Sequence, residues 1–404
     1  MKKGNIAVGI DIGTHQVKVV VSQESESGGM PTIIGVGNAE SKGLRHGYIT
    51  HQADAIRSIH KAVRQAQKAS RVKIDKAFLS IGGVGLSSFV STGTTMITRA
   101  DSEITQLDVD NVIEESTLQI PSSVSVNKKV IHTIPIQFKI DGKSVMGDPV
   151  GLKGVKIETK VLFIMCLEHH LSELIQAVED AGVEIIDVMA SPLAASLVAL
   201  TKPEKIQGCV LANIGSETVS IIVYENDIPV SLEVFKVGSN DITNDIALGL
   251  QVSLSDAQKI KHTLNDGGGS GHPKKKLEEI ITARLSDIFE LIESHLKKID
   301  RSGMLPGGII ITGGGSGITT IEDLAKAYLK LPSKVTRLAC DDTKMQCSDS
   351  DKIRMKDSTW AVAYGLCVFG LHSDGIGTVS SGRGKKMFKM GKNKVLSWFK
   401  QFLP

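Results

Sequence analysis

Two stretches of the chain share one alternation of apolar and turn-forming residues. Val8-Gly9-Ile10-Asp11-Ile12-Gly13-Thr14 precedes the apolar run Val17-Lys18-Val19-Val20-Val21, and Val210-Leu211-Ala212-Asn213-Ile214-Gly215-Ser216 precedes Val219-Ser220-Ile221-Ile222-Val223. Each pattern predicts a strand, a glycine-containing turn and a second strand. Each then passes through a polar turn, Ser27-Gly28-Gly29 or Glu225-Asn226-Asp227, into a third apolar run. A unit that returns about half a chain length later predicts two copies of one mixed α/β fold. Ile56, Ile59, Val63 and Ala66 fall on one helical face, as do Leu277, Ile281, Leu285, Ile288, Ile292 and Ile299. Strands alternating with such helices imply sheets covered by helices.

Residues 84–167 have a different texture. A helical stretch near Asp108 to Thr117 accompanies strand-like runs at Val130–Ile134 and Val161–Met165, which predicts an inserted subdomain. Asp266-Gly267-Gly268-Gly269-Ser270-Gly271-His272-Pro273 predicts a mobile loop, and Lys274-Lys275-Lys276 a solvated one or, equally, a contact for an acidic partner peptide. From Ser373 to Lys392 there is Gly, Ser and Lys but no apolar periodicity, the composition of a linker.

Length and charge refine this picture. At 404 residues the chain exceeds the roughly 250–300 residues over which one core keeps growing, so several domains are expected. Five cysteines without close pairing, Cys166, Cys209, Cys340, Cys347 and Cys367, exclude a zinc or CxxC redox site and suit a reducing compartment. Asp11 interrupts the first apolar run too early for a signal peptide, and no run reaches the roughly 20 apolar residues of a spanning helix. After Asp374 the chain has no acidic residue but seven basic ones, Arg383, Lys385, Lys386, Lys389, Lys392, Lys394 and Lys400. Removing those seven from the formal +3 leaves the body near −4. Basic character belongs to the tail, and no nucleic acid is expected among the partners.

Glycine turns carry the candidate chemistry. Their backbone N–H groups converge on anions because glycine permits close approach. Two such turns facing each other suit a triphosphate, with Asp11 holding Mg²⁺ through water and Lys18 neutralising a phosphate. Taken alone, the first turn is equally a favoured hairpin; the second copy weighs for a site. A third cluster, Thr312-Gly313-Gly314-Gly315-Ser316-Gly317, follows a predicted strand and opens a predicted helix with Thr320, Glu322 and Asp323 near its start, a context for nucleotide contact. Ile318 stands where a dinucleotide fingerprint needs glycine, and no P-loop lysine follows, which disfavours a dehydrogenase or P-loop NTPase.

These three turns, in order, resemble the phosphate-1, phosphate-2 and adenosine motifs of the actin, Hsp70 and sugar-kinase superfamily. Within it the chain resembles the FtsA family through Ile33-Ile34-Gly35-Val36-Gly37, Ser41-Lys42-Gly43, Pro149-Val150-Gly151-Leu152-Lys153-Gly154-Val155, Gly238–Ile246 and Ser255–Lys261. The resemblance implies an α/β, actin-like two-lobed nucleotide-binding fold with duplicated RNase H-like cores and an inserted SHS2-type α+β subdomain. Its implied division is 1–83 with 168–200 (subdomain 1A), 84–167 (1C, self-association), 201–246 with 307–372 (2A), 247–306 (2B), a linker at 373–392 and a membrane-targeting helix at 393–404. It implies ATP and Mg²⁺ as cofactors. Asp11, Gly13, Thr14 and Lys18 would meet the phosphates, with Asn213, Gly215, Ser216 and Thr218 opposite. Gly238, Asn240, Gln258, Lys261, Gly313, Gly314, Gly315 and Ser316 would surround the nucleoside. It also implies binding of the C-terminal tail of FtsZ through Arg284, Lys297 and Lys298, self-assembly into filaments, other divisome proteins as partners, and a peripheral place on the cytoplasmic face of the cell membrane at the division site.

Two positions depart from the superfamily pattern. Asn213 replaces the acidic residue that opens phosphate-2, and Glu217 replaces its usual third residue, glycine. An amide cannot serve as a carboxylate base, so ATP binding with slow or absent hydrolysis is expected. Glu217 would carry negative charge toward the phosphates unless it turns away.

The tail has its own pattern. At 100° per residue Val395, Leu396, Trp398, Phe399, Phe402 and Leu403 fill an arc of roughly 160°, with Lys394, Ser397, Lys400 and Gln401 elsewhere, an interfacial helix. Each nearby lysine adds on the order of 1 kcal/mol of attraction to anionic lipid. A helix docked on the body is the alternative; the linker, the uniform charge and the terminal aromatics oppose it. Two other readings of the whole chain remain: a sugar or acid kinase of the same fold, which needs an acidic base in the cleft, and a PilM-like component of pilus or secretion machinery.

Overall fold

The computed structural model describes residues 5–25, 29–265, 274–336, 338 and 357–372. The loop at 266–273, Cys340, Cys347, the linker at 373–392 and the helix at 393–404 lie outside the described residues.

The repeat seen in the sequence is a repeat of topology. The first sheet contains Ile6–Ile12, Gln16–Gln23, Thr32–Glu40, Lys76–Ile81 and Glu184–Ala190; the second contains Cys209–Ile214, Val219–Glu225, Ile228–Phe235, Gly308–Thr312 and Ser333–Val335. In each, a three-strand antiparallel meander is followed by two strands added in parallel to its first. Asp11 pairs across the first hairpin with Lys18, and Asn213 across the second with Ser220. The repeated geometry therefore carries a charged pair in one copy and a neutral pair in the other.

Helices cover these sheets where the periodicity predicts. Gln52–Ser70 buries Ile59, Ala62, Val63 and Ala66 against the first sheet, and Lys274–Lys298 buries Leu277, Ile281, Leu285, Ile288 and Ile292 against the second. Lys275 and Lys276 correct the expectation of a loop: they lie in the first turn of this second helix, exposed, because Leu277 already belongs to its buried stripe. The glycine cluster after Thr312 does not itself open an α-helix. It forms a short 3₁₀ turn, Gly314–Gly317, and the α-helix starts at Ile321.

Strand alternation divides the second sheet between two cores. Val210, Ala212, Ile221 and Ile311 face the helices of their own lobe, whereas Leu211, Ile222, Tyr224 and Ile310 join the core of the first lobe. Two helices, Ser191–Ala199 and Ala361–His372, fill that shared core; both are apolar nearly all round. They pack so closely that a β-carbon on Gly365 would stand 1.9 Å from the Ala194 carbonyl oxygen. Ser196 Oγ and Tyr224 Oη, 2.7 Å apart, give the junction a buried hydrogen bond.

Between residues 86 and 167 stands an antiparallel sheet in the order Leu86–Met96, Lys156–Leu167, Lys128–Ile140, Lys143–Val145, with the helix Gln106–Leu118 on one face. It has its own core of Val109, Val112, Phe138, Val161 and Phe163. Its edge strand runs beside an edge strand of the second lobe, Ile228–Phe235, and is hydrogen-bonded to it through Ser88 and Leu232. The Ser88 hydroxyl donates to the Leu232 carbonyl at 2.7 Å and accepts from the Leu232 N–H at 2.9 Å.

Of the three buried histidines among the described residues, His132, His170 and His295, all lowered by burial, the first and last are displaced furthest. His132 accepts from the Ala190 N–H at 3.0 Å, His295 Nε2 lies 2.8 Å from Ser231 Oγ, and burial pulls both down to about 4. The unfolded chain protonates them near the ordinary value of about 6.5, so it binds more protons than the fold between the two values. Their contribution is whole above that ordinary value and is lost as pH falls toward 4. Urea denaturation at about pH 7.5 and about pH 5 should show stability falling by up to about 2 kcal/mol per histidine, a loss that His132→Gln and His295→Gln should reduce.

Candidate functional site

A cavity of about 390 Å³ opens where the turns of the two sheets face each other. Asp11, Gly13, Thr14 and Lys18 line it from the first lobe, and Asn213, Gly215, Ser216 and Thr218 from the second. Asn240, Gln258 and Lys261 reach it from the helices Ser239–Leu250 and Leu254–Asn265, and Gly313, Gly314 and Gly315 form a further wall. Fourteen of the sixteen predicted nucleotide contacts thus share one cavity wall. Gly238 and Ser316 do not. Gly238 caps the helix Ser239–Leu250, its N–H bound by Asp241 Oδ2 at 2.8 Å. Ser316 sits behind the wall, its hydroxyl donating to the Gly313 carbonyl at 2.7 Å.

Each hairpin turn is closed by one short backbone bond, Gly13 N–H to the Gln16 carbonyl at 3.1 Å and Gly215 N–H to the Thr218 carbonyl at 2.8 Å. The second turn is further clamped by the helix beyond it, since the N–H groups of Ser239 and Asn240 donate to the carbonyls of Gly215 and Ser216. Gly313 has φ +91°, and a β-carbon there would lie 2.3 Å from Asn213 Oδ1, so glycine alone fits both the backbone and its neighbour.

Charge in the cleft is arranged around two lysines. Lys18 Nζ donates to the Thr359 carbonyl at 2.8 Å and lies 5.9 Å from the centre of the Trp360 ring. Burial lowers its pKa, opposed by Asp11 and Asp357; burial raises that of Asp11, opposed by Lys18 and by the Ser80 hydroxyl 2.7 Å from Oδ1. Lys261 is buried, donates to the Ser239 carbonyl at 2.9 Å and Thr243 Oγ1 at 2.7 Å, and is pulled down to about 8 by burial alone. Two bonds leave its third proton available. Lysine charge, hydroxyls and glycine-turn backbone, with few carboxylates, form a wall suited to a polyanionic phosphate chain. The donor set therefore fits a nucleotide.

Other lining groups were not singled out from the sequence. Gly82 and Gly83 follow the buried strand Lys76–Ile81, a strand-then-glycine signal like those of the recognised turns. Asp357, Ser358 and Thr359 line the cavity just before the buried helix Ala361–His372, where Asp357 caps the turn by accepting from the Thr359 N–H at 3.0 Å. His15 lies at the same wall, where burial and the nearby Lys18 and Lys261 depress its protonation. Glu217 turns away from the cavity, toward His46.

The predicted partner-binding residues lie elsewhere. Arg284 makes a forked ion pair with Asp245, at 2.6 and 3.0 Å, and reaches Asp287 at 3.2 Å. Lys297 pairs with Glu293 at 3.6 Å, and Lys298 lies within Coulombic reach of Glu233 and His295. Among the described residues no three His, Cys, Asp or Glu side chains gather as a metal site, and no helix is long and apolar enough to cross a membrane.

Comparison with known proteins agrees with this architecture. Residues 210–365 match the family described as Cell division protein FtsA, and residues 83–165 match the SHS2 domain inserted in FTSA. Cell division protein FtsA of Enterococcus faecalis (strain ATCC 700802 / V583) is 30% identical over 355 residues, covering 83% of this chain and 79% of its own. The Bacillus subtilis (strain 168) FtsA is 28% identical over 415 residues, covering 98% and 89%. Among solved structures, the PilM-PilN type IV pilus biogenesis complex superposes with a TM-score of 0.67 at 17% identity, covering 90% of this chain and 98% of that one. MreB5 of Spiroplasma citri bound to ADP superposes at 0.50 and 15% identity, covering 91% and 96%. The fold is thus the actin-like one, with the inserted subdomain.

Two measurements probe the cleft. Gly313→Ala should abolish detectable nucleotide binding in a fluorescent-nucleotide titration and cost about 1–3 kcal/mol in stability, from the strained φ and the Asn213 contact. A bound polyanion should restore the charge of Lys261, so calorimetry near pH 8 in buffers of different ionisation enthalpy should show proton uptake on ATP binding. The uptake should vanish about two pH units lower and in Lys261→Met, and affinity should weaken as pH rises past Lys261's own value.

Proposed function

The chain belongs to the FtsA family of cell division proteins, and from that premise we propose that it binds ATP with Mg²⁺ in its cleft, polymerises on the cytoplasmic face of the cell membrane and anchors FtsZ filaments there. The observation that carries the nucleotide reading is the convergence of both glycine hairpins, Lys18, Lys261 and the Gly313–Gly315 turn on one cavity.

In this reading the phosphates lie between the turns of Asp11–Thr14 and Asn213–Thr218, with Lys18 and Lys261 opposing their charge. Mg²⁺ would supply further neutralisation, and Asp11, hydrogen-bonded to Ser80, is the residue that would hold it through water. Asn213 offers an amide where a base would need a carboxylate, so turnover is slow. That substitution also weighs against a sugar or acid kinase. The pilus-component reading has only a fold likeness at 17% identity in its favour.

Anchoring needs two further surfaces. The helix at residues 393–404 would lie in the membrane interface with Val395, Leu396, Trp398, Phe399, Phe402 and Leu403 inward and Lys394 and Lys400 toward lipid headgroups. Single attachments of this size are marginal, and head-to-tail filaments, whose heterologous contacts do not close, present many at once. The inserted subdomain would take part in those filament contacts, and the helix bearing Arg284, Lys297 and Lys298 would receive the FtsZ tail. Leu248, one turn from Asp245, is 78% exposed and offers apolar contact beside the Arg284 ion pair.

Co-sedimentation with anionic liposomes, with ATP and without it, tests the assembly. The full chain should pellet, more completely with ATP, and a chain ending at Lys392 should stay in the supernatant. Equal pelleting of both would remove the tail from the mechanism.

A further inference from the structure

The phosphate-2 turn holds a side chain that does not face the cleft it helps to build. Glu217 Oε2 accepts from the backbone N–H of His46 at 2.5 Å, and the His46 ring nitrogen Nδ1 lies 3.3 Å from the Glu217 carbonyl oxygen. Glu217 belongs to the second lobe, between Cys209–Ile214 and Val219–Glu225; His46 belongs to the first, at the tip of the two-stranded hairpin Leu44–Arg45 and Tyr48–Ile49. The contact therefore joins the two lobes.

The hairpin tip is shaped for this contact. His46 and Gly47 both have positive φ, +50° and +90°, as a two-residue turn of the I′ kind requires, and this is an uncommon conformation for histidine. The tip is seated on the Gly82–Gly83 turn: the Val84 N–H donates to the His46 carbonyl at 3.3 Å, and a β-carbon on Gly47 would touch Gly83 Cα. Gly47, Gly82 and Gly83 line the cavity that Ser216 and Thr218 line from the other side. His170 Nε2 lies 3.1 Å from the Gly82 carbonyl, where the helix Glu168–Asp180 leaves the inserted sheet. A continuous line of contacts thus runs from the second lobe's phosphate turn through His46 and the Gly82–Gly83 turn to the base of the inserted subdomain.

We propose that Glu217 is a strap across the mouth of the cleft, which holds the lobes together through the His46 amide and slows the release of a bound nucleotide. Glycine at this position, the usual residue of the motif, has no side chain to span the gap. A carboxylate spans it and accepts a charge-assisted hydrogen bond from a backbone donor held fixed by its turn. Opening the lobes breaks that bond, so the strap acts on the rate of opening. Its effect on nucleotide release rests on the reading of the cleft as a nucleotide site; the strap itself does not.

The experiment compares the wild type with Glu217→Ala, which removes the acceptor while keeping an ordinary backbone, and Glu217→Gln, which keeps an acceptor oxygen without charge. Hydrogen exchange of residues 43–50 is followed in the nucleotide-free protein, and release of a fluorescent ATP analogue by stopped flow. Glu217→Ala should exchange these amides faster and release the analogue roughly tenfold faster, with Glu217→Gln close to wild type in exchange. Unchanged exchange in Glu217→Ala overturns the strap, and faster exchange with release within about twofold of wild type overturns its control of the cleft. A wild type that retains no analogue overturns the nucleotide reading instead, and the exchange comparison still decides the strap.

Discussion

The close crossing of Ser191–Ala199 and Ala361–His372 fixes the rest of the molecule. With the Gly365 backbone against the Ala194 carbonyl, these two apolar helices form a thin shared layer into which both lobes insert residues, Leu211, Ile222 and Ile310 from one side and Ala7, Val20 and Phe78 from the other. Because the layer is continuous core, the lobes are held as neighbours while their turns are left free to face each other. Packed interiors move by switching between arrangements rather than by stretching. A relative motion of the lobes is therefore expected to pivot at this layer, with the cleft at its outer side.

Duplication supplied two identical hairpin geometries, and the chemistry lies in how they differ. Asp11 faces Lys18 in one and Asn213 faces Ser220 in the other, at the same register. The first hairpin spends desolvation on two opposite charges, each disfavoured by burial and rescued by the other. The second carries no charge at those places and moves its acidic group, Glu217, two residues past the glycine and out toward the opposite lobe. One copy is thereby suited to a cation and a phosphate, the other to neutral contacts and to closing the cleft.

Much of this was legible in the chain because period and punctuation are local. The strand, glycine and strand signals of Asp11–Thr14 and Asn213–Ser216 placed both turns, and the spacing of Leu277, Ile281 and Leu285 placed the helix behind the second sheet. Contacts between distant segments were not legible. Nothing near His46 announces Glu217, 171 residues away, nor does Lys18 announce the Thr359 carbonyl, 341 residues away. The exposed lysines Lys275 and Lys276 read as loop because the helix they begin is fixed by Leu277 and its buried partners, not by its own first turn. Nor does the sequence near Arg284, expected as a partner contact, announce Asp245, which holds it in a fork from another helix.

The Ser88 hydroxyl, both giving to and taking from one residue of the neighbouring lobe, has a protective side. Exposed sheet margins invite stray chains to add themselves as further strands. Two such margins meet at Ser88 and Leu232, and a single hydroxyl imitates the missing rung, so neither offers that stretch of backbone to an intruder. What stays open is the outer half of Leu86–Met96, whose Thr92, Thr94 and Met96 face solvent. A chain that extends the sheet on this edge must therefore enter from the tip of the inserted subdomain, away from the junction between the lobes.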